Sequence, residues 1–423
     1  MIAPPDRPRW RCVSAAELVE QLLLEGWAWE RDAPDARSAA AAALGRLREA
    51  GLSCDPRPEG GLYDPIEAAA LLRRLGRARR EPLFADRLIP FGRRNLRDLA
   101  GEGPGEGPPD WSRHPAGRAV CLTLRRRFPA DALPPGRPAR LRLPVPLPGP
   151  GVSGLEVEVL EQPPGTPPAT LSPGRMEVRL PAPTDAVLAL RATAVIAPLL
   201  PGALPPQPLE PAEAALFLRP REGFVRVTPA VAALAASVGG GRPHQVAHAL
   251  WGLLLGCLQI EPIHYAEIDT AAPGDWVLAR GAGDCQLVSA LLVAMFRARG
   301  IPARLVGGVL PYPRSPSRHW WAEAHLDGAW HPFDAMARDL DDDGRVPAWH
   351  DAFAGHLEPR LVTERHPRVF TGAPGVPFPP AWLMLRRLTP DGAAVRHVEA
   401  GTCRLLYEEE TVVTLGPLIA PPA

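Results

Sequence analysis

The apolar and polar positions of the chain follow different periods in different stretches. In residues 1–100 apolar side chains recur at helical spacing, most clearly at 36–50 and 66–77. Ser14 and Glu17 form a capping-box sequence ahead of a leucine-rich run, which predicts the start of a helix. We therefore expect a small helical module over residues 1–100.

A period of two replaces the helical period beyond the turn-rich segment at 101–110, which is dominated by glycine and proline. Runs at 139–143, 155–159 and 176–180 alternate apolar and polar side chains. Alternation of this kind is typical of half-buried strands separated by turns. The pattern predicts a β-sandwich domain at 117–200.

A second proline-rich joint, at 198–211, precedes a stretch in which helix and strand patterns mix. We expect residues 212–350 to form a domain of helices packed on an antiparallel sheet. Residues 351–423 alternate again near 404–413 and predict a strand-containing extension, whose sheet the sequence leaves open. The predicted fold class is α+β, with the β-sandwich and the helical module ahead of the mixed domain.

The mixed stretch places a cysteine at a strong helix start. In residues 281–302 apolar side chains recur at helical spacing, Asp284 is a good N-cap residue, and Gly300 ends the pattern. Cys285 should therefore lie in the first turn, where unpaired backbone N–H groups and the helix dipole stabilise a thiolate. Gly283 leaves room for a substrate to reach the sulfur.

A histidine and an aspartate follow on a predicted hairpin. Asp327 and Gly328 separate two aromatic-rich runs and favour a two-residue type I′ turn. With that turn His319 is the diagonal neighbour of Asp334 on one face of the ribbon. Diagonal neighbours have Cα atoms roughly 7–8 Å apart, within reach of an imidazole–carboxylate hydrogen bond.

Two other histidines of the hairpin fit this geometry less well. His325 lies four residues, about 13 Å, along the strand from the rung of Asp334. His331 points to the opposite face of the ribbon. The favoured set is a thiol, the imidazole of His319 and a carboxylate, which suits nucleophilic catalysis.

These motifs resemble the core of the transglutaminase-like cysteine hydrolase superfamily, which has a Gly-x-Cys helix start, a Gly-Ile-Pro-Ala-Arg strand entry and a His-x-Trp-x-Glu hairpin ending in Asp. The matching pieces are Gly283 to Cys285, Gly300 to Arg304, His319 with Trp321 and Glu323, and Asp334. The resemblance implies a papain-like α+β catalytic domain. Bacterial members often carry a β-sandwich ahead of it.

The resemblance also implies a role for each matched residue. Cys285 would be the acyl-accepting nucleophile, His319 the general base and later acid, and Asp334 the carboxylate that fixes the imidazole tautomer. Many members use an upstream indole or phenol as a second oxyanion donor, and Trp276 is the candidate by nearness in sequence. The candidates for lining the substrate cleft are Trp321 and Gly283.

A second motif, at Asp339, Asp341 and Asp343, has the alternating carboxylates that open a calcium loop. His350 occupies the twelfth position, where such a loop needs a bidentate glutamate, and Pro347 interrupts the flanking pattern. A solvated acidic turn is therefore favoured over calcium binding. The sequence predicts no metal and no other cofactor.

Composition limits the classes of function and the cellular compartment that fit this chain. The 423 residues carry a formal net charge of zero, which argues against binding of nucleic acid. The six cysteines are dispersed without metal-binding spacing, and no apolar run is long enough to span a membrane. In the absence of an apolar leader we expect a cytoplasmic protein with a peptide or protein substrate. The sequence leaves its oligomeric state open.

Three functions remain open. The first is thiol-dependent hydrolysis of a peptide or amide bond through a thioester, and the second is transfer of a glutamine acyl group to an amine. The third is a non-catalytic binding or assembly module. The chain contains no lysine, so it could not crosslink copies of itself through lysine side chains, and this favours hydrolysis.

Overall fold

The computed structural model describes residues 12–24, 36–58, 60–77, 82–133, 135–200, 202, 204–341, 348–367, 383–388, 394–400 and 404–419. Helices and antiparallel strands are both present, so the predicted α+β fold class is confirmed. Asp343 and Pro347 of the acidic motif lie outside the described residues.

The first three helices surround an aliphatic core of their own, which includes Val13, Leu18, Leu22, Leu47 and Leu72. The fourth helix instead buries Leu96 and Leu99 in the main core of the chain. The capping box forms as predicted, because Ser14 Oγ accepts from the Glu17 N–H at 3.3 Å and the Glu17 carboxylate accepts from the Ser14 N–H at 2.9 Å. The elements are β1 (Val13–Ser14), α1 (Ala15–Leu24), α2 (Ala36–Glu49), β2 (Cys54–Asp55), β3 (Leu62–Tyr63), α3 (Pro65–Arg77) and α4 (Pro82–Ala100).

The predicted alternating stretches form strands. They are β4 (Arg118–Phe128), β5 (Ala139–Pro144), β6 (Val152–Glu161), β7 (Thr170–Ser172), β8 (Arg175–Leu180) and β9 (Ala186–Ile196). Strands β5, β8 and β7 form one sheet, and β4, β9 and β6 belong to a second. Leucines from both sheets, including Leu124, Leu141 and Leu190, are buried in one core. Strands β4, β5, β8 and β9 therefore turn their apolar faces toward this shared core.

The mixed stretch begins with helices and short strands. They are α5 (Pro211–Phe217), β10 (Arg221–Glu222), β11 (Val225–Arg226), α6 (Pro229–Ser237), α7 (Pro243–Cys257), β12 (Gln259–Ile260), α8 (Pro273–Arg280), β13 (Ala282–Gly283) and α9 (Cys285–Ala298). In α9 every residue from 286 to 297 is buried. This helix is therefore the centre of the domain and not a surface helix.

The sheet of this domain has the order β16-β15-β14-β17. The remaining elements along the chain are β14 (Ala303–Leu310), β15 (Ser317–Leu326), β16 (Ala329–Phe333), α10 (Ala337–Leu340), α11 (Ala348–Asp351), β17 (Leu361–Arg365), β18 (Leu383–Leu388), β19 (Ala394–Ala400) and β20 (Arg404–Leu418). Helix α9 packs on β14 and β15, so the start of the helix lies over the sheet.

The hairpin of β15 and β16 has the predicted two-residue turn. Asp327 and Gly328 both have positive φ, at 49° and 84°, as a type I′ turn requires. Ala322 faces Phe333 and His325 faces Trp330, which is the predicted register. The turn chemistry and the pleat thus fix which side chains share a face.

The C-terminal residues divide between two sheets. Strand β17 pairs with β14 in the mixed domain. Strand β20 pairs with β4, so the sheet of the sandwich has the order β18-β19-β20-β4-β9-β6. The predicted extension therefore completes both sheets. Among the described residues, no helix has the length and apolar character needed to cross a membrane.

Candidate active site

Cys285 is the first residue of α9, as the helix signals predict. The carboxylate of its N-cap residue, Asp284, accepts from the Leu287 N–H at 2.9 Å. The cysteine is partly exposed and is a free thiol. Capping of the helix in this way fixes the direction of the first turn and therefore the position of the sulfur.

His319 and Asp334 are in direct contact. The imidazole Nε2 lies 2.8 Å from Oδ1 and 2.9 Å from Oδ2 of Asp334, so the contact predicted from the hairpin register is confirmed. Cys285 lies beside the imidazole, because its charge contributes to raising the pKa of His319. With Nε2 turned to the carboxylate, Nδ1 is the ring nitrogen available to the thiol. The three side chains form a continuous thiol–imidazole–carboxylate row.

Charges in this row favour a protonated imidazole. Burial alone lowers the pKa of His319, but the negative charge of Asp334, then the charge of Cys285 and hydrogen bonds to both residues, raise it to about 10. Burial opposes the charge of Asp334, yet the charges of His319 and Arg360 hold its pKa well below its usual range. A protonated His319 beside an ionised Asp334 is the expected state near neutral pH.

The Asp334 carboxylate has two further partners. Arg360 Nη1 donates to Oδ2 at 2.8 Å, and the Met336 N–H donates to Oδ1 at 2.8 Å. Arg360 forms a second ion pair with Glu358 at 2.5 Å. Sequence reasoning missed this arginine, because it immediately precedes β17, 26 residues beyond the aspartate, and no local pattern joins the two.

Tyr265 is the second residue that sequence reasoning missed. Its hydroxyl donates to Asp284 and lies 2.9 Å from Gln286 Oε1. Burial, followed by the charge of Asp284, a hydrogen bond to it and the charge of Cys285, raises its pKa well above the usual value. The family resemblance indicated that an upstream phenol or indole could be an oxyanion donor. Nothing in the sequence itself distinguished this tyrosine from the other candidates.

Trp276, the tryptophan selected by nearness, lies on α8, with its ring 5.3 Å from the Arg280 guanidinium. Trp321 is 1% exposed and donates its indole N–H to Glu323 at 3.2 Å. Gly283 is also buried, and a Cβ there would lie 3.2 Å from Val288. Trp321 therefore lies in the core, and the glycine serves close packing behind the cysteine.

The competing histidines have other partners. His325 Nε2 contacts the carbonyl oxygen of Gln207 at 2.8 Å. The ring of His331 lies 4.8 Å from that of His244, on the face away from Asp334. Neither contact involves the carboxylate, in agreement with the predicted register.

The carboxylates of the acidic motif contact basic side chains of the protein. Asp339 pairs with Arg73 at 2.8 Å and Asp341 pairs with His350 at 2.8 Å. His350 thus contributes a basic group where a calcium loop supplies a carboxylate. Within the described ranges, no group of histidine, cysteine, aspartate or glutamate side chains is arranged to hold a metal ion.

This combination of a thiol at a helix start, an imidazole and a buried carboxylate defines a class of cysteine-dependent enzymes. Residues 232–335 match the family model of the transglutaminase-like superfamily. The matched part of the chain includes Cys285, His319 and Asp334.

Several solved structures share distant similarity with the chain. A candidate cysteine protease from Cytophaga hutchinsonii is 15% identical, over 70% of this chain and 97% of its own, with a TM-score of 0.37. The periplasmic domain of TgpA from Pseudomonas aeruginosa is 16% identical, over 58% of this chain and 99% of its own, with a TM-score of 0.29. A candidate protease from Parabacteroides distasonis is 14% identical, over 75% and 71%, with a TM-score of 0.24. No curated protein matches the chain.

Proposed function

We propose that the protein hydrolyses a peptide or amide bond through Cys285, His319 and Asp334. The observation that carries the proposal is the direct contact of His319 with the buried Asp334 carboxylate, together with the position of Cys285 beside the imidazole. In this arrangement the proton of the Cys285 thiol can be transferred to the imidazole of His319. The thiolate is the form of cysteine that attacks a carbonyl carbon.

The reaction would proceed in two halves. The Cys285 sulfur forms a bond to the carbonyl carbon, the C–N bond breaks, and the His319 imidazolium gives its proton to the departing amine. His319, now neutral, takes a proton from water as the hydroxide oxygen attacks the thioester. The C–S bond then breaks with its electron pair on sulfur, the carboxylic acid leaves, and the thiolate and the protonated His319 are restored.

Negative charge on the carbonyl oxygen requires hydrogen-bond donors at each half-reaction. The backbone N–H of Cys285, at the helix start, is one donor in the proposal. The Tyr265 hydroxyl is the second, because it lies beside the helix start and can turn from Asp284 toward the oxyanion. Tyr265 is favoured over Trp276, whose described ring contact is with Arg280.

The nucleophile is tested by alkylation with iodoacetamide near neutral pH, followed by peptide mapping. Cys54 and Cys257 are exposed free thiols in the same chain and serve as internal references. We expect Cys285 to react faster than both and His319→Ala to remove the difference. Equal rates at all three cysteines, unaffected by His319→Ala, would falsify the assignment.

Hydrolysis is tested with a library of peptides whose cleavage is followed by mass spectrometry, with Cys285→Ala as the matched control. A labelled primary amine is included in a parallel incubation. Free carboxylic acid that depends on Cys285 supports the proposal, whereas amine-linked product in excess of acid supports acyl transfer. Rapid alkylation with neither product would favour the binding-module alternative.

A further inference from the structure

A row of buried charges continues beyond Asp334, on the side away from Cys285. The Arg360 guanidinium bridges the carboxylates of Asp334 and Glu358, at 2.8 and 2.5 Å. The three side chains are 3%, 0% and 1% exposed. Tyr312 donates its hydroxyl to the far oxygen of Glu358 at 3.2 Å. Solvent therefore contributes little to the stability of these charges.

Without Arg360, Asp334 would face a second buried carboxylate with no cation between them. Two such carboxylates in a low-dielectric interior cannot both remain ionised at low energetic cost, so one of them takes up a proton. A protonated Asp334 would lose its attraction for the imidazolium of His319. The Arg360 cation thus keeps Asp334 in the ionised form that stabilises the imidazolium of His319.

Arg360 is itself held in one orientation. Its guanidinium lies 4.5 Å from the centre of the Trp321 ring, and Trp321 is fixed by its hydrogen bond to Glu323. A planar guanidinium held in this way presents its donors in fixed directions. The Asp334 carboxylate has little freedom to rotate, because it accepts hydrogen bonds from His319, Arg360 and the Met336 backbone.

We infer that Arg360 is a positioning residue, which keeps Asp334 ionised and turned toward His319 and thereby maintains the thiolate–imidazolium pair. This inference rests on the proposed function. It assigns to Arg360 an effect on the reactivity of Cys285 that packing alone would not produce. Trp321, selected from the sequence for the substrate cleft, is instead the platform for this arginine.

The test measures the alkylation rate of Cys285 by iodoacetamide as a function of pH, in the full chain, for the wild type and for Arg360→Met. The acid limb of the pH–rate profile is the range in which the rate falls as the Cys285 thiolate becomes protonated. We expect this limb to shift by about one pH unit in the variant. The alkylation rate near pH 6.5 should then fall about tenfold, because such a shift changes the thiolate fraction by that factor. Asp334→Asn should move the acid limb in the same direction. Arg360→Lys, which keeps the charge but not the planar fork, should retain part of the wild-type rate.

Arg304→Met is the matched control. Arg304 is also buried, pairs with Glu323 at 2.6 Å and stacks on Trp330 at 3.9 Å, but its described partners do not include Asp334. The control should be destabilised while its profile keeps the wild-type acid limb. If Arg360→Met does not fold, Arg360→Gln, which removes the charge but keeps a polar side chain and leaves Glu358 in place, is measured instead.

A folded Arg360→Met or Arg360→Gln variant with the wild-type profile would overturn the inference about Arg360. The same is true if Arg304→Met moves the acid limb equally. Failure of the proposed function looks different, because Cys285 in the wild type would then react no faster than Cys257 at any pH. The two failures are therefore separated by the wild-type profile alone.

Discussion

Arg318, which precedes His319 in β15, forms a two-point ion pair with Glu409 of β20, with Nε 3.2 Å from Oε1 and Nη2 3.1 Å from Oε2. Arg126 of β4 binds the same carboxylate at 2.6 Å. The Glu409 side chain is 3% exposed. Through Glu409, strand β20 of the sandwich is thus joined by ion pairs to β15, the strand that carries His319.

Replacement of Glu409 by alanine should be strongly destabilising, because it leaves two largely buried arginines without their shared anion. Loss of one partner of a buried ion pair costs about 3–5 kcal/mol. The free energy of unfolding, from urea titration, measures the effect. Glu158→Ala is the control on the same sheet, since Glu158 and Arg191 are 63% and 49% exposed, and its change should stay below about 1 kcal/mol. Similar losses in both variants would contradict the prediction.

Protonation of His319 should make stability depend on pH. Because its pKa is raised from 6.5 to about 10 in the folded protein, the contribution is fully present below pH 6.5 and is lost as pH rises through about 10. The slope attributable to this group is at most about 1.4 kcal/mol per pH unit. The measurement is the difference in unfolding free energy between wild type and His319→Gln across this range, and a constant difference would count against the ion pair.

Tyr265→Phe should lower the rate of amide hydrolysis while leaving alkylation of Cys285 nearly unchanged. Alkylation develops no charge on a carbonyl oxygen, whereas acyl transfer does, and loss of one oxyanion donor costs about 10²–10³ in rate. Trp276→Phe is the matched control and should leave both rates unchanged. The idea would be abandoned if Tyr265→Phe slowed both reactions equally, or if only Trp276→Phe slowed hydrolysis.

Gly308→Ala should distort the sheet that carries His319. Gly308 pairs with His319 in β14 and β15, and an added Cβ would lie 2.3 Å from the carbonyl oxygen of Leu361. Relief of this clash requires the backbone of β17 to move, at a cost of about 1–3 kcal/mol or more.

Gly252→Ala should stabilise the protein, in contrast to Gly308→Ala. Gly252 lies in α7 with nothing within 4 Å of the added Cβ, so the variant should gain about 0.5–1 kcal/mol from helix propensity. Thermal or urea unfolding measures both variants. A tolerated Gly308→Ala would show that β17 yields more easily than this packing implies.

Much of the site was accessible from the sequence because its parts are local. The N-cap at Asp284 predicts the start of α9, and the turn at Asp327 and Gly328 predicts the hairpin register. That register determines which histidine reaches Asp334. Cys285 and His319 could each be placed on an element, but not brought into contact, because the packing of α9 on the sheet depends on many distant side chains.

The sequence by itself determined the elements, the turn and the candidate catalytic residues, since capping, turn conformation and alternation act over only a few residues. Only the tertiary structure decided that Arg360 holds Asp334, that Tyr265 lies beside the helix start and that β20 pairs with β4. Those contacts join residues far apart in the chain. Ion pairs and strand pairing at such separations depend on how the whole chain buries its apolar surface, and no short pattern records that choice.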